Sequence, residues 1–349
     1  MTQESFKVIS LDISEETYRA DPALSYSILS KYERGGFSSL STLFERTESP
    51  SFLFGSALDT YLTEGLEVFN RKYYVGEPHK LAPAQVEIIN TIFKLDPKYR
   101  EDFSTVEDEL IVTAAANAKF QANWKKETIV DNIRKTAENY VNFLNLTEGK
   151  TFITEDLYKQ VIQSAECLTT HPATSTYFAP INPFESNLEN LNQLKFKTKL
   201  GNNIYKCMAD KIICDHANKT ITPIDLKTTS KPEWDFYKSF LDYRYDIQAR
   251  LYWRIIRHLM NAHPIFKDYT LKNYIFIVIN KDSLVPLVWE FPETAFKGTL
   301  SFGQHAQIKL RDPEEIGNEL TTYLCMAAKV PNNIQETESN NISNFLNTL

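Results

Sequence analysis

The chain has 349 residues, 42% of them hydrophobic and 24% charged, a balance that excludes collagen-like, coiled-coil and disordered classes and allows one large domain or two smaller ones. Its 38 Lys and Arg against 45 Asp and Glu give a net charge of −7, which excludes a uniformly basic nucleic-acid coat but not a local basic surface. No apolar run reaches the roughly 18 residues of a membrane helix. The N-terminal MTQESFKVISLDISEE has no signal-peptide pattern, and Cys167, Cys207, Cys214 and Cys325 are scattered without a CxxC. The expectation is a cytoplasmic protein with no membrane partner, no disulfide and no zinc ribbon.

Along the chain, Asp21-Pro22 predicts a turn, and Ser25 or Ser27 a cap for a helix carrying Leu24, Ile28 and Leu29. Gly35 and Gly36 break it. Phe52 to Leu62 reads as a buried helix (Phe54, Leu58, Tyr61, Leu62) stopped by Gly65. From Pro83 to Leu168 the period is helical, with Val86/Ile89/Ile92/Phe93 and then Ile129, Ile133, Ala137, Tyr140 and Leu144. An Asn-rich stretch, Asn182 to Asn192, reads as loop. Strand-like segments follow at Lys195–Leu200, Ile204–Cys214 and Thr220–Lys227, joined at Gly201-Asn202-Asn203 and His216–Lys219. Helix is expected from Glu233 to about Met260, strands at Tyr274–Ile279 and Leu284–Phe291, and helix again over Phe296–Leu324, interrupted near Pro313. This order predicts an α/β fold with a mixed central β-sheet flanked by helices.

The chemistry concentrates in ITPIDLKTTS, Ile221 to Ser230. In a strand, Asp225 and Lys227 share one face while Ile224 and Leu226 take the other and point to the core. Thr228 and Thr229 extend the polar patch. Hairpin geometry brings Asp210 of the preceding strand beside Asp225, and two converging carboxylates call for a divalent cation; hard oxygen ligands favour Mg²⁺ or Mn²⁺. Alone, a D-x-K triplet reads more readily as a surface ion pair. Cys207 and Cys214, flanking Asp210, read as core residues. No HExxH, Walker loop or G-x-S-x-G elbow occurs.

The runs YKCMADKII and IDLKTTSKPEWDFYKSFLDYRYDIQARLYW resemble the PD-(D/E)xK nucleases, in particular the RecE-like branch near exonuclease VIII and lambda exonuclease. That branch shows an R/K-x-D strand, a D-x-K-T-T strand and a Y-x-x-Q-x-x-x-Y helix, the last matched by Tyr245, Gln248 and Tyr252. DPALSYSILSKY and FLFGSALDTYLTE resemble its N-terminal motifs more sparsely. The resemblance implies a restriction-endonuclease-like core over 191–330, a helical N-terminal part over 1–190 contributing the first core helix at about 51–65, and a flexible tail over 331–349. It implies metal ligation by Asp210, Asp225 and the Leu226 carbonyl, with Lys227 orienting or deprotonating water and Gln248 holding Lys227 or a phosphate oxygen. Tyr252 either bonds to the site or simply packs. Asp59 stands where related enzymes place a ligating His; its alternative is a solvent-facing helix residue. Glu185 and Glu189 are candidates for a further acid.

From Gln193 to Lys281 there are 16 Lys and Arg against 8 Asp and Glu, an excess of +8 that leaves −15 for the rest of the chain. Such segregation is the footprint of a DNA channel. Lys195, Lys197, Lys199, Lys211, Thr228, Lys231, Arg244 and Arg250 are the expected DNA contacts. The implied activity is Mg²⁺- or Mn²⁺-dependent hydrolysis of linear duplex DNA from a 5′ end, preparing single strands for recombination. The implied setting is a phage or prophage homo-oligomer beside a strand-annealing recombinase. An endonuclease of the same fold and a catalytically inactive DNA-binding or assembly module are the alternatives.

Overall fold

The computed structural model describes residues 4–45, 49–77, 80–179, 181, 187–291, 296–302 and 306–327. The tail expected at 331–349 and the acid candidate Glu185 lie outside the described residues. The chain divides into two compact units, one of residues 65–160, the other of residues 1–64 and 161–349.

The smaller unit is mainly helical. Helices Pro83–Leu95, Asp108–Asn117 and Lys126–Thr147 carry the periodic apolar residues that the sequence predicts, and Ile89, Ile92, Ile111, Ile133 and Ala137 bury together. Strand Tyr73–Gly76 pairs in parallel with Thr151–Thr154.

The larger unit is built on a mixed sheet. Its strands are β1 (Leu188–Leu200), β2 (Asn203–Asp215), β3 (Thr220–Thr229), β4 (Thr270–Leu271), β5 (Ile275–Asn280) and β6 (Pro286–Glu290), in the order β1-β2-β3-β5-β6 with β4 also on β3. Gly201, at φ +56°, turns the β1–β2 hairpin. Strand β3 runs parallel to β5, so the connection must cross the sheet. Helix α2 (Tyr245–Ala262) makes that crossing. Helix α1 (Pro50–Thr63) starts where Ser49 Oγ accepts from Phe52 N at 3.2 Å, with Pro at its first turn. It packs on β3, and Gly55 allows the close approach, since a Cβ there would lie 3.2 Å from Thr228 Oγ1. Helix α3 is Pro313–Ala327.

Three expectations are corrected. Asn-rich residues 188–192 are strand, because β1 pairs with the whole of β2 from Leu188↔Asp215 onward and cross-strand bonding outweighs poor local propensity. The single helix expected from Glu233 is split into Glu233–Asp235, Phe236–Asp242 and α2, with Arg244 at φ +56° between the last two. Part of the helix expected over Phe296–Leu324 is an antiparallel strand pair, Thr299–Phe302 with Ala306–Lys309, before α3 begins at Pro313. Ser25 takes the N-cap position of helix Tyr26–Gly35 but makes no capping bond. Its hydroxyl lies 2.9 Å from that of Ser27.

Strand faces are also redistributed. In register, Asp225 sits beside Phe276 and Lys227 beside Val278, both members of the unit's large apolar cluster. Asp225 and Lys227 thus share the α2 face of the sheet with most of the core, while Ile224 and Thr228 lie on the α1 face. Both faces are covered, so period-two patterning alone could not assign them.

Candidate active site

Strands β2 and β3 are paired from Asp215↔Thr220 to Lys211↔Ile224, and the ladder stops there. One residue further, the carboxylate of Asp210 replaces the missing backbone acceptor: its Oδ2 takes the Leu226 N–H at 3.0 Å. The strands part at this point, and the opening collects charged groups. Asp225, 1% exposed, holds the Lys227 ammonium in an ion pair. Its other oxygen accepts from Gln248 Nε2 at 2.5 Å. Lys227 Nζ lies 4.8 Å from the centre of the Tyr245 ring, a cation–π contact that completes its cage.

Helix α2 supplies two of these groups because Tyr245, Gln248 and Tyr252 follow one another at three and four residues, the repeat of a single helical face. Tyr252 is buried, its ring edge-on to Tyr274 at 6.2 Å, and burial pushes its phenol well above the ordinary value. No hydrogen bond of its hydroxyl is seen among the described residues, so its packing role is visible and a bonding role is not. Gln248 Oε1 is buried without a hydrogen-bond partner among the described residues, leaving an acceptor turned into the site.

Asp59 reaches the site from α1, one turn beyond Gly55. Gln193 Nε2 donates to its Oδ2 at 2.6 Å. Gln193 lies between the Asn192↔Lys211 and Leu194↔Ala209 pairs, the place opposite Asp210, with a left-handed φ of +52°. Desolvation, then the neighbouring carboxylates of Asp225 and Asp59, push the Asp210 carboxyl well above its ordinary value. Burial opposes the charge on Lys227, but Asp225 outweighs it and holds the ammonium's pKa above the usual lysine value.

The donors Asp210, Asp225, Asp59 and the Leu226 carbonyl are all hard oxygens, and the mutual repulsion raising Asp210 is what a divalent cation would relieve. The residues present therefore fit Mg²⁺ or Mn²⁺ by donor chemistry. In this arrangement the oxygens of Asp59, Asp210 and Asp225 do not all lie within 4.8 Å of one another, and Lys227 provides the countercharge on Asp225.

The residues expected to meet DNA are dispersed. Lys195 is half-buried and Lys199 exposed on β1. Neither has an ion-pair partner among the described residues. Lys197 is paired with Asp21 at 2.6 Å and Lys231 with Asp242 at 3.3 Å. Lys211 is buried, its Nζ 3.5 Å from Asn192 Oδ1, and burial pushes its pKa down to about 8. Arg244 is gripped by Asp246 at 2.8 and 3.0 Å and by Glu33 at 2.7 Å. Arg250, 2% exposed, donates to Arg311 O at 2.7 Å and Asp312 at 3.2 Å. Lys211 and Arg250 thus serve the interior, Arg244 is partly buried between its two acids, and Thr228 faces Gly55. Glu189 lies opposite Cys214 on β1, four residues along β2 from Asp210.

Sequence reasoning missed Gln193, which fell between the loop expected to end at Asn192 and the strand expected to begin at Lys195, and Tyr274, whose buried hydroxyl has no hydrogen-bond partner among the described residues. Neither carries a local sequence signal. Gly55, in the interior of helix α1, was a legible hint of close packing.

No family model matches the sequence, and no curated protein matches it. Among solved structures, the crystal structure of a putative exonuclease from Eubacterium rectale is similar over 82% of this chain and 80% of its own, at 12% identity and a TM-score of 0.43. So loose an overlap leaves the functional reading to the geometry of the site itself.

Proposed function

We propose that the chain is a metal-dependent deoxyribonuclease of the PD-(D/E)xK type, acting as an exonuclease on linear duplex DNA. The observation that carries this reading is the meeting of Asp210, Asp225, Lys227 and Gln248 where β2 and β3 part. A surface ion pair has no need of a second, half-buried acid or of a buried glutamine amide. A divalent cation held by Asp210, Asp225, the Leu226 carbonyl and Asp59 would supply Lewis-acid polarisation of the phosphate and a more acidic water. Lys227 acts as a fixed positive charge beside the scissile phosphate, offsetting negative charge that builds on its oxygens in the transition state. Gln248 fixes the Asp225 carboxylate by its amide and turns Oε1 toward the water it orients. Tyr245 screens Lys227 from solvent.

The same reading gives 5′-to-3′ degradation that prepares single strands for recombination, homo-oligomeric assembly and work beside a single-strand annealing protein in a phage or prophage. These follow from the motif resemblance in Tyr245, Gln248, Tyr252 and the D-x-K-T-T strand. The test is incubation of end-labelled linear duplex and closed circular duplex with Mg²⁺, with and without excess chelator. Nucleotides should be released from the linear substrate alone, 5′ label first, and only without chelator. Cutting of closed circles would establish the endonuclease alternative; cleavage that persists in chelator would remove the metal.

A further inference from the structure

Helix α2 carries Tyr245 and Gln248 into the candidate site, and the residue just before it has an unusual backbone. Arg244 lies at φ +56° and ψ +46°, the left-handed region that glycine enters freely and a side chain enters at a cost. An arginine kept there points to a use for its side chain. The elbow it makes is tight. Arg244 N donates to Leu241 O at 3.2 Å, and Ile247 N donates to Arg244 O at 3.0 Å as α2 begins.

The guanidinium works in two directions. Its Nε and Nη2 donate side-on to the two oxygens of Asp246, at 2.8 and 3.0 Å, and its Nη1 donates to Glu33 at 2.7 Å. The Asp246 side chain is wholly buried, and those of Arg244 and Glu33 are 16% and 11% exposed, so salt screens these pairs little. The bonds to Asp246 fix the elbow itself, while the bond to Glu33 ties it to helix Tyr26–Gly35. That helix holds the elbow twice more: the Tyr26 hydroxyl donates to Tyr243 O at 2.7 Å, and the Arg34 guanidinium lies 5.8 Å from the centre of the Tyr243 ring. Glu33 is fixed in turn by Arg311 Nη1 at 2.7 Å. Further along, α2 is held separately by Arg250 and Arg254 on Asp312, so loss of the elbow would loosen the first turn without freeing the helix.

We propose that Arg244 is a positioning residue for the nuclease site: through Asp246 and Glu33 it sets the first turn of α2, and so the placement of Tyr245 against Lys227 and of Gln248 against Asp225. Tyr245 follows Arg244 directly and puts its ring 4.8 Å from Lys227 Nζ, and Gln248, less than a turn further, donates to Asp225 at 2.5 Å. The effect on cleavage rests on the nuclease reading above; the setting of the turn does not. A phosphate contact, the use that the sequence suggests for Arg244, would need donors aimed at solvent, and three of its N–H groups are spent on carboxylates.

The experiment compares the full-length wild type with Arg244→Gly, which keeps the left-handed turn and removes the guanidinium, and with Arg244→Lys, which keeps the charge without the fork. Glu33→Gln is the milder variant should Arg244→Gly not fold. Amide hydrogen exchange followed by mass spectrometry should be at least about 10-fold faster over residues 245–251 in Arg244→Gly, with β3 and β5 unchanged. Arg244→Lys and Glu33→Gln should shift the same segment by less. On linear duplex DNA in Mg²⁺, Arg244→Gly should lower kcat about 10-fold and leave KM within about twofold. The salt slope of DNA binding should not move, whereas a phosphate contact would raise KM and flatten that slope by about one. Unchanged exchange over 245–251, faster exchange spread evenly through the sheet, or a rise in KM with kcat intact would overturn the assignment. A wild type that binds DNA but never cleaves it would sink the nuclease reading instead, and the exchange result would still decide whether Arg244 sets the turn.

Discussion

Lys227 holds together the charge balance of the candidate pocket, and its neighbours show how tightly side-chain placement is set. The pocket opens because Asp210 satisfies Leu226 N by its side chain instead of its backbone, so Asp210→Ala should remove both a candidate ligand and the bond that shapes the opening. Nuclease activity should vanish, whereas Asp210→Asn, still able to accept that hydrogen bond, should fold normally and still fail to cleave. Assaying both by release of labelled nucleotide and by thermal melting separates the two effects. Gly55 offers a second residue-scale prediction. Its missing Cβ would sit 3.2 Å from Thr228 Oγ1, so Gly55→Val should overpack the α1–β3 contact by about 1–3 kcal/mol. Adding Thr228→Ala should recover part of that loss in denaturant melts; no recovery would mean that Gly55 matters for another reason.

At the scale of elements, α2 is anchored from both sides. Asp312, just before α3, accepts from Arg254 at 2.7 Å and from Arg250 at 3.2 Å. Burial works against its charge, but the hydrogen bonds from Arg254 and from Glu314 N win and hold its carboxyl below the ordinary value. The folded-state pKa is thus depressed, and the stabilisation is complete above the unfolded value of about 3.9, then lost as pH falls through the folded one. Asp312→Asn should cost about 1–3 kcal/mol at neutral pH, since it takes the carboxylate from the buried Arg250 and the half-buried Arg254, and the variant should lose less than the wild type on acidification. Equilibrium unfolding at neutral pH and near pH 3 checks both parts. Much of this architecture was legible in the sequence: Ile129, Ile133 and Ala137 announce their helix, and Gly201 its hairpin. The misses have a common physical origin, because the strand at 188–192 and the pair Thr299–Phe302 with Ala306–Lys309 exist through cross-strand partners, which local propensity does not register. The site was legible where its chemistry is local, at Asp225 and Lys227 two residues apart. It was not legible at Gln193, which acts only because register places it opposite Asp210.

At the scale of the whole molecule, the charge segregation along the chain is partly undone in space. The +8 stretch from Gln193 to Lys281 is met by Asp21, Glu33, Asp312 and Glu314 from outside it, which pair with Lys197, Arg244, Arg250 and Arg254. On the proposed nuclease reading, the surface left for phosphates is smaller than the count implies, and Lys195 and Lys199 are its clearest members. DNA affinity should therefore fall with salt less steeply than sixteen cations would give, and Lys195→Ala or Lys199→Ala should each flatten the log–log slope by about one. Arg250→Ala should lower stability instead of changing that slope. Among the described residues no helix is long and apolar enough to cross a membrane.

The most direct test of the central claim is the rate at which Lys227→Ala releases nucleotides from linear duplex DNA in Mg²⁺, on protein whose thermal melt shows it folded. With the Lys227 charge aimed at the phosphate, the rate should fall at least about 100-fold below wild type. A folded Lys227→Ala that cleaves within about twofold of wild type, a negligible change on that scale, would contradict the account.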